Sequence, residues 1–285
     1  MELPLLLMAG YNTSQEHNGS AKRREKIGYF NHNKALVGLE ETNYSVMQKM
    51  IDSYSASKHI SDIYVLGPKE EYEGIIEGCE FIDFNENIGL NLKRGLEFFK
   101  GEKIAISTSD TPYIETRHID SYMSGIEEHL NKDIIIQLVD RAHIKEECWW
   151  KPSYYLKNEN LDSIRILPGH LGVINTGEVP KFIYDGIDFI YDDLRLHSIK
   201  DKIWLSGKEL YEKNALEDSL RLLGKPMMKF LMRSLQKKEL EQLVETAIMT
   251  CHIQITDMHE FAEDVDTVEE ATKAVDYLKR LNLSN

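Results

Sequence analysis

The stretch that decides the fold is Leu3-Pro4-Leu5-Leu6-Leu7-Met8-Ala9-Gly10, an apolar run that ends in a small residue and a glycine. Such a run is typical of a buried strand followed by a tight turn. It is too short to span a membrane, and no basic segment stands before it as in a signal peptide. It therefore predicts the first strand of a sheet, over residues 3–8.

Strand-like and helical patterns alternate downstream of this run. Further strands are predicted at 62–66, 103–108, 133–139 and 171–175, with a hairpin that pairs 154–156 with 163–167 across a polar turn. Helices are predicted at 43–58, 88–99 and 116–130. Strands separated by helices indicate βαβ units, so we expect an α/β protein whose sheet is mixed and mostly parallel. In such sheets ligands gather at the C-terminal ends of the strands.

The last third of the chain changes character. Leucine and methionine stripes predict helices from residue 216 onward, and 253–255 predicts a returning strand. Thr267 and Glu270 form a capping-box pattern before a last helix at 268–281. We expect one domain over 1–285. Its α/β core covers 1–200, its helical insertion covers 201–252, and a strand and helix at 253–285 complete the core.

The composition excludes several classes of protein. The 285 residues are 42% hydrophobic and 29% charged, which excludes a mostly disordered, collagenous or simple coiled-coil chain. With 34 Lys plus Arg against 48 Asp plus Glu, the net charge is −14, so we expect neither nucleic-acid nor membrane-surface binding. The three cysteines, Cys79, Cys148 and Cys251, show no zinc pattern or disulfide framework, which predicts a cytoplasmic protein.

Two features at the start of the chain could hold a nucleotide. Met8-Ala9-Gly10 ends the first predicted strand, where backbone N–H groups can bind a phosphate or a base, although a plain tight turn is the simpler interpretation. Lys34, in Asn33-Lys34-Ala35-Leu36, can act as a compact positive charge on a triphosphate. A solvated surface lysine is the alternative for this residue.

Two acidic features could bind a metal. Thr108-Ser109-Asp110-Thr111-Pro112 places Asp110 at the C-terminal end of a predicted strand, where Mg²⁺ could bind its carboxylate together with phosphate oxygens. In Asp264-Val265-Asp266-Thr267, alternation puts Asp264 and Asp266 on one face of an extended segment. The alternatives are a turn aspartate for Asp110 and charges that favour the start of the following helix for Asp264 and Asp266.

Taken in order, these four features resemble the nucleotidyltransferases of the GT-A-like fold, especially the MobA-like NTP transferases. That group has a first strand ending in Leu-Ala-Gly-Gly, then Lys-x-Leu, a central Ser-Asp-x-Pro, and a late Asp-x-Asp-Thr before a closing helix. This chain offers Met8-Ala9-Gly10, Lys34-Ala35-Leu36, Ser109-Asp110-Thr111-Pro112 and Asp264-Val265-Asp266-Thr267. The resemblance covers about residues 3–280 and implies a three-layer α/β/α Rossmann-type fold with a C-terminal helical insertion.

The resemblance implies transfer of a nucleoside monophosphate from an NTP to a phosphorylated small molecule, with Mg²⁺ as cofactor. The residues implied in nucleotide binding are Met8, Ala9, Gly10, Lys34 and Ser109. Lys34 and Asp110 would be catalytic. Asp110, Asp264 and Asp266 would be the candidate metal ligands, and Gly169 and His170 would bind the acceptor. Arg141 directly follows a predicted strand, so it could line the acceptor pocket; a surface turn is the alternative. The helical insertion is a candidate interface for a homodimer.

The chain departs from the family pattern in three places, and two alternatives stay open. Tyr11 stands where a second Gly is usual, and the loop at 12–33 lacks the Arg-Met-Gly motif of many members. In the segment at 168–171, which resembles the family's acceptor-side Gly-Asn-Leu, His170 replaces the Asn. One alternative is a non-catalytic nucleotide-binding protein on the same fold. The other is a GT-A glycosyltransferase with a nucleotide-sugar donor; those enzymes usually carry Asp-x-Asp in mid-chain, whereas Ser109-Asp110-Thr111 holds one aspartate.

Overall fold

The computed structural model describes residues 1–9, 33–84, 88–144, 154–157, 163–179, 236–247 and 249–283. Several predictions concern other residues. Gly10, Tyr11, the loop at 12–32, Cys148 and the helical pattern at 216–235 lie outside the described residues.

The described residues form nine strands of a single sheet. The strands are β1 (Leu3–Met8), β2 (Ile60–Gly67), β3 (Glu80–Asp83), β4 (Lys103–Thr108), β5 (Ile134–Asp140), β6 (Tyr154–Lys157), β7 (Ser163–Pro168), β8 (Leu171–Asn175) and β9 (Cys251–Thr256). Their order is β3-β2-β1-β4-β8-β5-β7-β6, with β9 paired to β5. From the pairings, only β7 and β8 run against the common direction. The sheet is therefore mixed and mostly parallel, as predicted.

Seven helices accompany the sheet in the described ranges: α1 (Leu39–Thr42), α2 (Val46–Ser55), α3 (Lys69–Tyr72), α4 (Ile88–Phe98), α5 (Thr116–Gly125), α6 (Lys237–Ala247) and α7 (Val268–Asn282). No helix in these ranges is long and apolar enough to cross a bilayer.

The helices pack in two layers, one on each face of the sheet. Leu5 and Leu7 of β1 belong to a core shared with α2, α5 and α7, whereas Leu6 between them faces α4. This alternation follows from the two-residue period of a strand and makes both faces of β1 apolar, as expected of a central parallel strand. A Cβ at Gly95 of α4 would lie 2.3 Å from Leu6 Cδ2, so a larger residue there would require Leu6 to shift. The three-layer α/β/α prediction is confirmed.

Several predicted boundaries change. The helix predicted at 43–58 is α2 with Ser45 as its N-cap. The helix predicted at 116–130 ends at Gly125, and a 3₁₀ turn at Glu127–His129 follows it. β9 begins at Cys251, two residues before the predicted strand. β3 was not predicted.

Candidate functional site

The site lies at the C-terminal edge of the sheet, between β1 and β4. From β1 the chain builds β2 and β3 on one side and then returns to place β4 on the other. Such a reversal of strand order opens a crevice at the carboxyl ends of the strands, where α/β proteins bind ligands. Met8 and Thr108 are partners in the β1–β4 register, so Ala9 and Ser109 enter this crevice side by side.

Lys34 reaches the crevice from a short 3₁₀ turn, Lys34–Leu36. Asn33 caps that turn, since its side-chain oxygen accepts from the N–H of Ala35 at 3.2 Å. The amide nitrogen of Asn33 donates to Tyr72 Oη at 3.1 Å and to Glu71 Oε2 at 3.2 Å. Ala35 is buried in the core, which fixes the turn from the other side. Lys34 is thus held by its neighbours rather than left as a solvated surface residue.

Lys34 joins the two acidic segments that the sequence singled out. Its Nζ lies 3.7 Å from Asp110 Oδ2 and donates a hydrogen bond to Asp266 Oδ1. The side chains of Lys34, Asp110 and Asp266 are 20%, 19% and 24% exposed, so a ligand can reach them while most of their surface is shielded. Ion pairs at this depth interact more strongly than pairs on the open surface.

The backbone fixes the relative position of the two acidic segments. The N–H of Val265 donates to the carbonyl oxygen of Asp110 at 2.9 Å, and Val265 itself is buried. Thr267 caps α7, and Glu270 Oε2 accepts from the N–H groups of Asp266 and Thr267 at 2.9 Å each. The predicted capping box is confirmed, and it also orients the segment that carries the Asp266 carboxylate.

The site carries more negative charge than its lysine neutralises. The pKa of Asp266 lies above the ordinary value for an aspartate because burial disfavours its charged form, and the charges of Asp264 and Asp110 add to this effect. Lys34 opposes it. Asp110 Oδ1 is buried and accepts no hydrogen bond from any described residue. An unpartnered buried carboxylate oxygen costs free energy unless a cation or donor reaches it.

These carboxylates suit a magnesium ion that substrate phosphates help to hold. Among the described residues, no group of three or more His, Cys, Asp or Glu side chains forms a metal cage. Mg²⁺ does not need one, because it is usually bound by one or two carboxylates together with substrate phosphates and water. Asp110 and Asp266 meet that requirement, and Asp264 is close enough to Asp266 to raise its pKa.

The strand ends beside Lys34 are already occupied by internal hydrogen bonds. The N–H of Ala9 donates to Leu66 O at 2.8 Å, and its carbonyl accepts from Tyr72 Oη at 2.6 Å. The N–H of Ser109 donates to Met8 O at 3.1 Å. The structure therefore brings Met8, Ala9 and Ser109 to the crevice. The backbone N–H groups of Ala9 and Ser109 already donate to carbonyl oxygens of neighbouring strands.

His170 and Asp264 form a second polar group in the same crevice. His170 Nδ1 is 2.9 Å from Thr108 Oγ1, and its Nε2 is 3.9 Å from Asp264 Oδ1. Gly169 precedes it and packs against Gln137, where an added Cβ would lie 2.4 Å from Oε1. The role of Gly169 in the structure is close packing that lets the β7–β8 turn place His170 beside β4.

Arg141 lies farther along the same edge of the sheet. It begins a 3₁₀ turn, Arg141–His143, directly after β5, and β8 separates β5 from β4. With strands about 4.8 Å apart, β5 is roughly 10 Å from β4. Arg141 Nη1 is buried and hydrogen-bonds to none of the described residues. The structure thus does not bring Arg141 into contact with the lysine–aspartate group.

The sequence reasoning missed Asn33 as a capping residue and Tyr72 as a contact of Ala9. The side chain of Asn33 could have been recognised, because Asn immediately before a short turn is a common cap. Tyr72 bonds across 63 positions of the chain, and no local pattern reveals such a contact.

Comparisons with known proteins identify the fold. No protein-family model matches the chain, and no curated protein matches it. Solved structures do match, and several of those that cover nearly its whole length are named as transferases or synthetases. The chain has a Rossmann-like α/β fold shared with nucleotidyltransferases.

Three of these structures illustrate the match. A hypothetical transferase from Thermus thermophilus is 16% identical with a TM-score of 0.61, covering 95% of this chain and 100% of its own. CMP:2-keto-3-deoxy-manno-octonic acid synthetase complexed with CTP is 9% identical with a TM-score of 0.51, covering 98% and 99%. A nucleotidyl transferase from Methanothermobacter is 11% identical with a TM-score of 0.50, covering 98% and 99%. At these identities the likeness establishes the fold alone.

Proposed function

We propose that this protein is a Mg²⁺-dependent nucleotidyltransferase. It transfers a nucleoside monophosphate from an NTP to a phosphorylated small-molecule acceptor and releases pyrophosphate. The observation that carries the proposal is the meeting of Lys34, Asp110 and Asp266 from three distant parts of the chain. They meet at the switch point of a sheet whose fold is found in nucleotidyltransferases.

The charge at the site matches a metal-bound triphosphate. Three aspartates, Asp110, Asp264 and Asp266, face one lysine, so a free triphosphate would be repelled. Bound Mg²⁺ would supply the positive charge that lets carboxylates and phosphates share one site. Lys34 then neutralises charge on the phosphates, as a compact ammonium held at a fixed place.

The reaction needs positioning more than acid–base chemistry. An oxygen of the acceptor phosphate forms a bond to the α-phosphorus, and the bond from that phosphorus to the bridging oxygen breaks. The pyrophosphate leaves with the electron pair. No general base is required because the acceptor phosphate is already ionised, so the protein contributes orientation and charge stabilisation.

The acceptor is proposed to bind on the β5–β8 side of the crevice. His170 presents Nε2 near Asp264, and Arg141 has a buried Nη1 that no described residue engages. A guanidinium recognises phosphate well because its donors match two phosphate oxygens at once. Membership of the MobA-like subgroup stays a prediction.

The test is pyrophosphate release from ATP, GTP, CTP and UTP with a panel of phosphosugars, phosphorylated alcohols and pterin phosphates. We expect release with one NTP, lost on chelation of Mg²⁺ and in Lys34→Met. The matched control is Lys69→Met, because Lys69 pairs with Glu73 on the surface of α3 and should not affect turnover. Mg²⁺-dependent NTP binding without release under any condition would favour the non-catalytic alternative and contradict the transferase.

A further inference from the structure

Lys49 is a buried lysine that the proposed reaction does not use. It lies on the core-facing side of α2 with 4% of its surface exposed, and its Nζ donates a hydrogen bond to the carbonyl oxygen of Ile114. Lysines are almost never this buried unless their ammonium group is bonded. A leucine or methionine would fill this position without the free-energy cost of burying a charge, so we expect the ammonium group itself to have a role.

The carbonyl that Lys49 holds belongs to the connection from β4 to α5, residues 109–115, which carries Asp110. Two neighbouring contacts tie the same region to α2. Thr111 Oγ1 lies 3.5 Å from Met50 Sδ, and Thr116 Oγ1 donates to Ser53 O at 2.9 Å. Of these contacts, that of Lys49 alone has a charged donor, and charged donors make the stronger hydrogen bonds.

The groups that face Lys49 come from three helices. Asp52 of α2 and Glu115 at the start of α5 attract its charge, and the Tyr277 ring of α7 has its centroid 5.7 Å from Nζ. Burial lowers the pKa of Lys49 to about 8, against the pull of these two carboxylates. His118 of α5 has a lowered pKa, chiefly from burial, and the Lys49 charge adds to that lowering.

We propose that Lys49 is a positioning residue whose ammonium group holds the 109–115 connection so that Asp110 faces Lys34 and the metal-bound NTP. This inference rests on the proposed function. Protonated Lys49 is the form that holds the connection, because loss of the charge weakens its bond to Ile114 and its attraction to Glu115. NTP affinity therefore declines at mildly alkaline pH, where this bond to Ile114 loses its charged donor.

The test measures binding of Mg²⁺ with each of ATP, GTP, CTP and UTP by calorimetry at pH 7.5 and 9.5. For the nucleotide that binds, we expect wild-type affinity to fall about tenfold over this range. Lys49→Arg should remove most of that fall, because arginine stays charged throughout. The Lys49→Met variant should bind the nucleotide weakly at both pH values. The control is Lys103→Arg, since Lys103 also donates to backbone carbonyls but lies at the N-terminal end of β4, away from the site.

The outcomes separate the two proposals. If the wild type binds none of the four nucleotides, the proposed function is wrong. If it binds one and Lys49→Arg keeps the full alkaline loss, or Lys49→Met binds normally at pH 7.5, the role of Lys49 is overturned. Amide exchange of residues 109–118 is measured in parallel and needs no ligand. Faster exchange is expected in Lys49→Met, and unchanged exchange contradicts the inference.

Discussion

Replacing Asp110 by asparagine separates the functional from the structural role of its carboxylate. Asparagine keeps the shape of the side chain and leaves the backbone bond from Val265 to Asp110 O intact. The substitution removes one negative charge 3.7 Å from Lys34 Nζ and leaves an amide where Oδ1 has no described partner. Loss of the attraction to Lys34 destabilises the folded state, whereas removal of a buried charge with an unpartnered oxygen stabilises it. The relative sizes of these two effects decide the change in unfolding free energy.

The Coulomb attraction between Asp110 and Lys34 is about 4 kcal/mol at 3.7 Å and an effective dielectric constant of about 20. Much of this is offset, because Asp110 is also repelled by Asp266 and is itself desolvated. We therefore expect the free energy of unfolding to change by only about 1 kcal/mol. The pKa of Asp266 should fall, since the charge of Asp110 is one of the causes that raise it.

Binding of the metal-bound nucleotide should change far more than stability. Loss of a group that merely orients a metal ligand costs roughly 10- to 100-fold in affinity, and loss of a ligand itself should cost about 100-fold or more. Urea unfolding, calorimetry with Mg²⁺ and the NTP, and pyrophosphate release measure the three quantities. The control is Asp62→Asn, an exposed aspartate on β2.

Two results would refute this reasoning. Retention of wild-type affinity and turnover in Asp110→Asn would show that the carboxylate is no metal ligand. A loss of more than about 3 kcal/mol in unfolding free energy would show that its main role is structural, because only a strongly stabilising buried pair costs that much to break.

Three further changes test the structural account. Gly169→Ala should cost about 1–3 kcal/mol in urea unfolding, because its Cβ would meet Gln137, which is itself buried and held in place; a neutral result would contradict this packing. Thr267→Ala should cost about 1 kcal/mol of unfolding free energy, because it removes the N-cap of α7. It should also weaken NTP binding, because Thr267 and Glu270 form the capping box that orients Asp266; a loss of stability with unchanged binding would exclude a role of Thr267 in the site. Between pH 8 and 10.5 the unfolded chain binds more protons at Lys49 than the folded chain does, so wild-type stability should rise relative to Lys49→Met by at most about 3 kcal/mol. A relative fall would show that burial does not lower this pKa.

The sequence predicts the central part of the fold well because local and global signals agree there. β1, β4 and β8 are largely apolar runs bounded by polar or small residues, and all three match the predicted bounds to the residue. β3 is four residues long with two acidic ends, so it has too little pattern to be recognised. It exists because β2 offers it an edge to pair with.

The candidate site is predictable in membership but not in geometry. Lys34, Asp110 and Asp266 lie far apart in the sequence, and only the strand order brings them together. No local pattern shows that the N–H of Ala9 bonds to Leu66, because that bond depends on how β1 pairs with β2. Spacing along the sequence likewise does not show that Arg141, which follows β5, lies two strands away from Asp110, which follows β4.

The central claim is that this crevice binds a metal-bound nucleoside triphosphate. Its most direct test is a thermal-shift measurement with ATP, GTP, CTP and UTP, each with and without Mg²⁺, on the wild type and Asp110→Asn. A ligand that binds only the folded state raises its stability, by about 2.7 kcal/mol at 100 times its Kd. We expect a rise in Tm with one nucleotide that requires both Mg²⁺ and Asp110. Equal shifts in the variant, or no shift with any nucleotide, would contradict it.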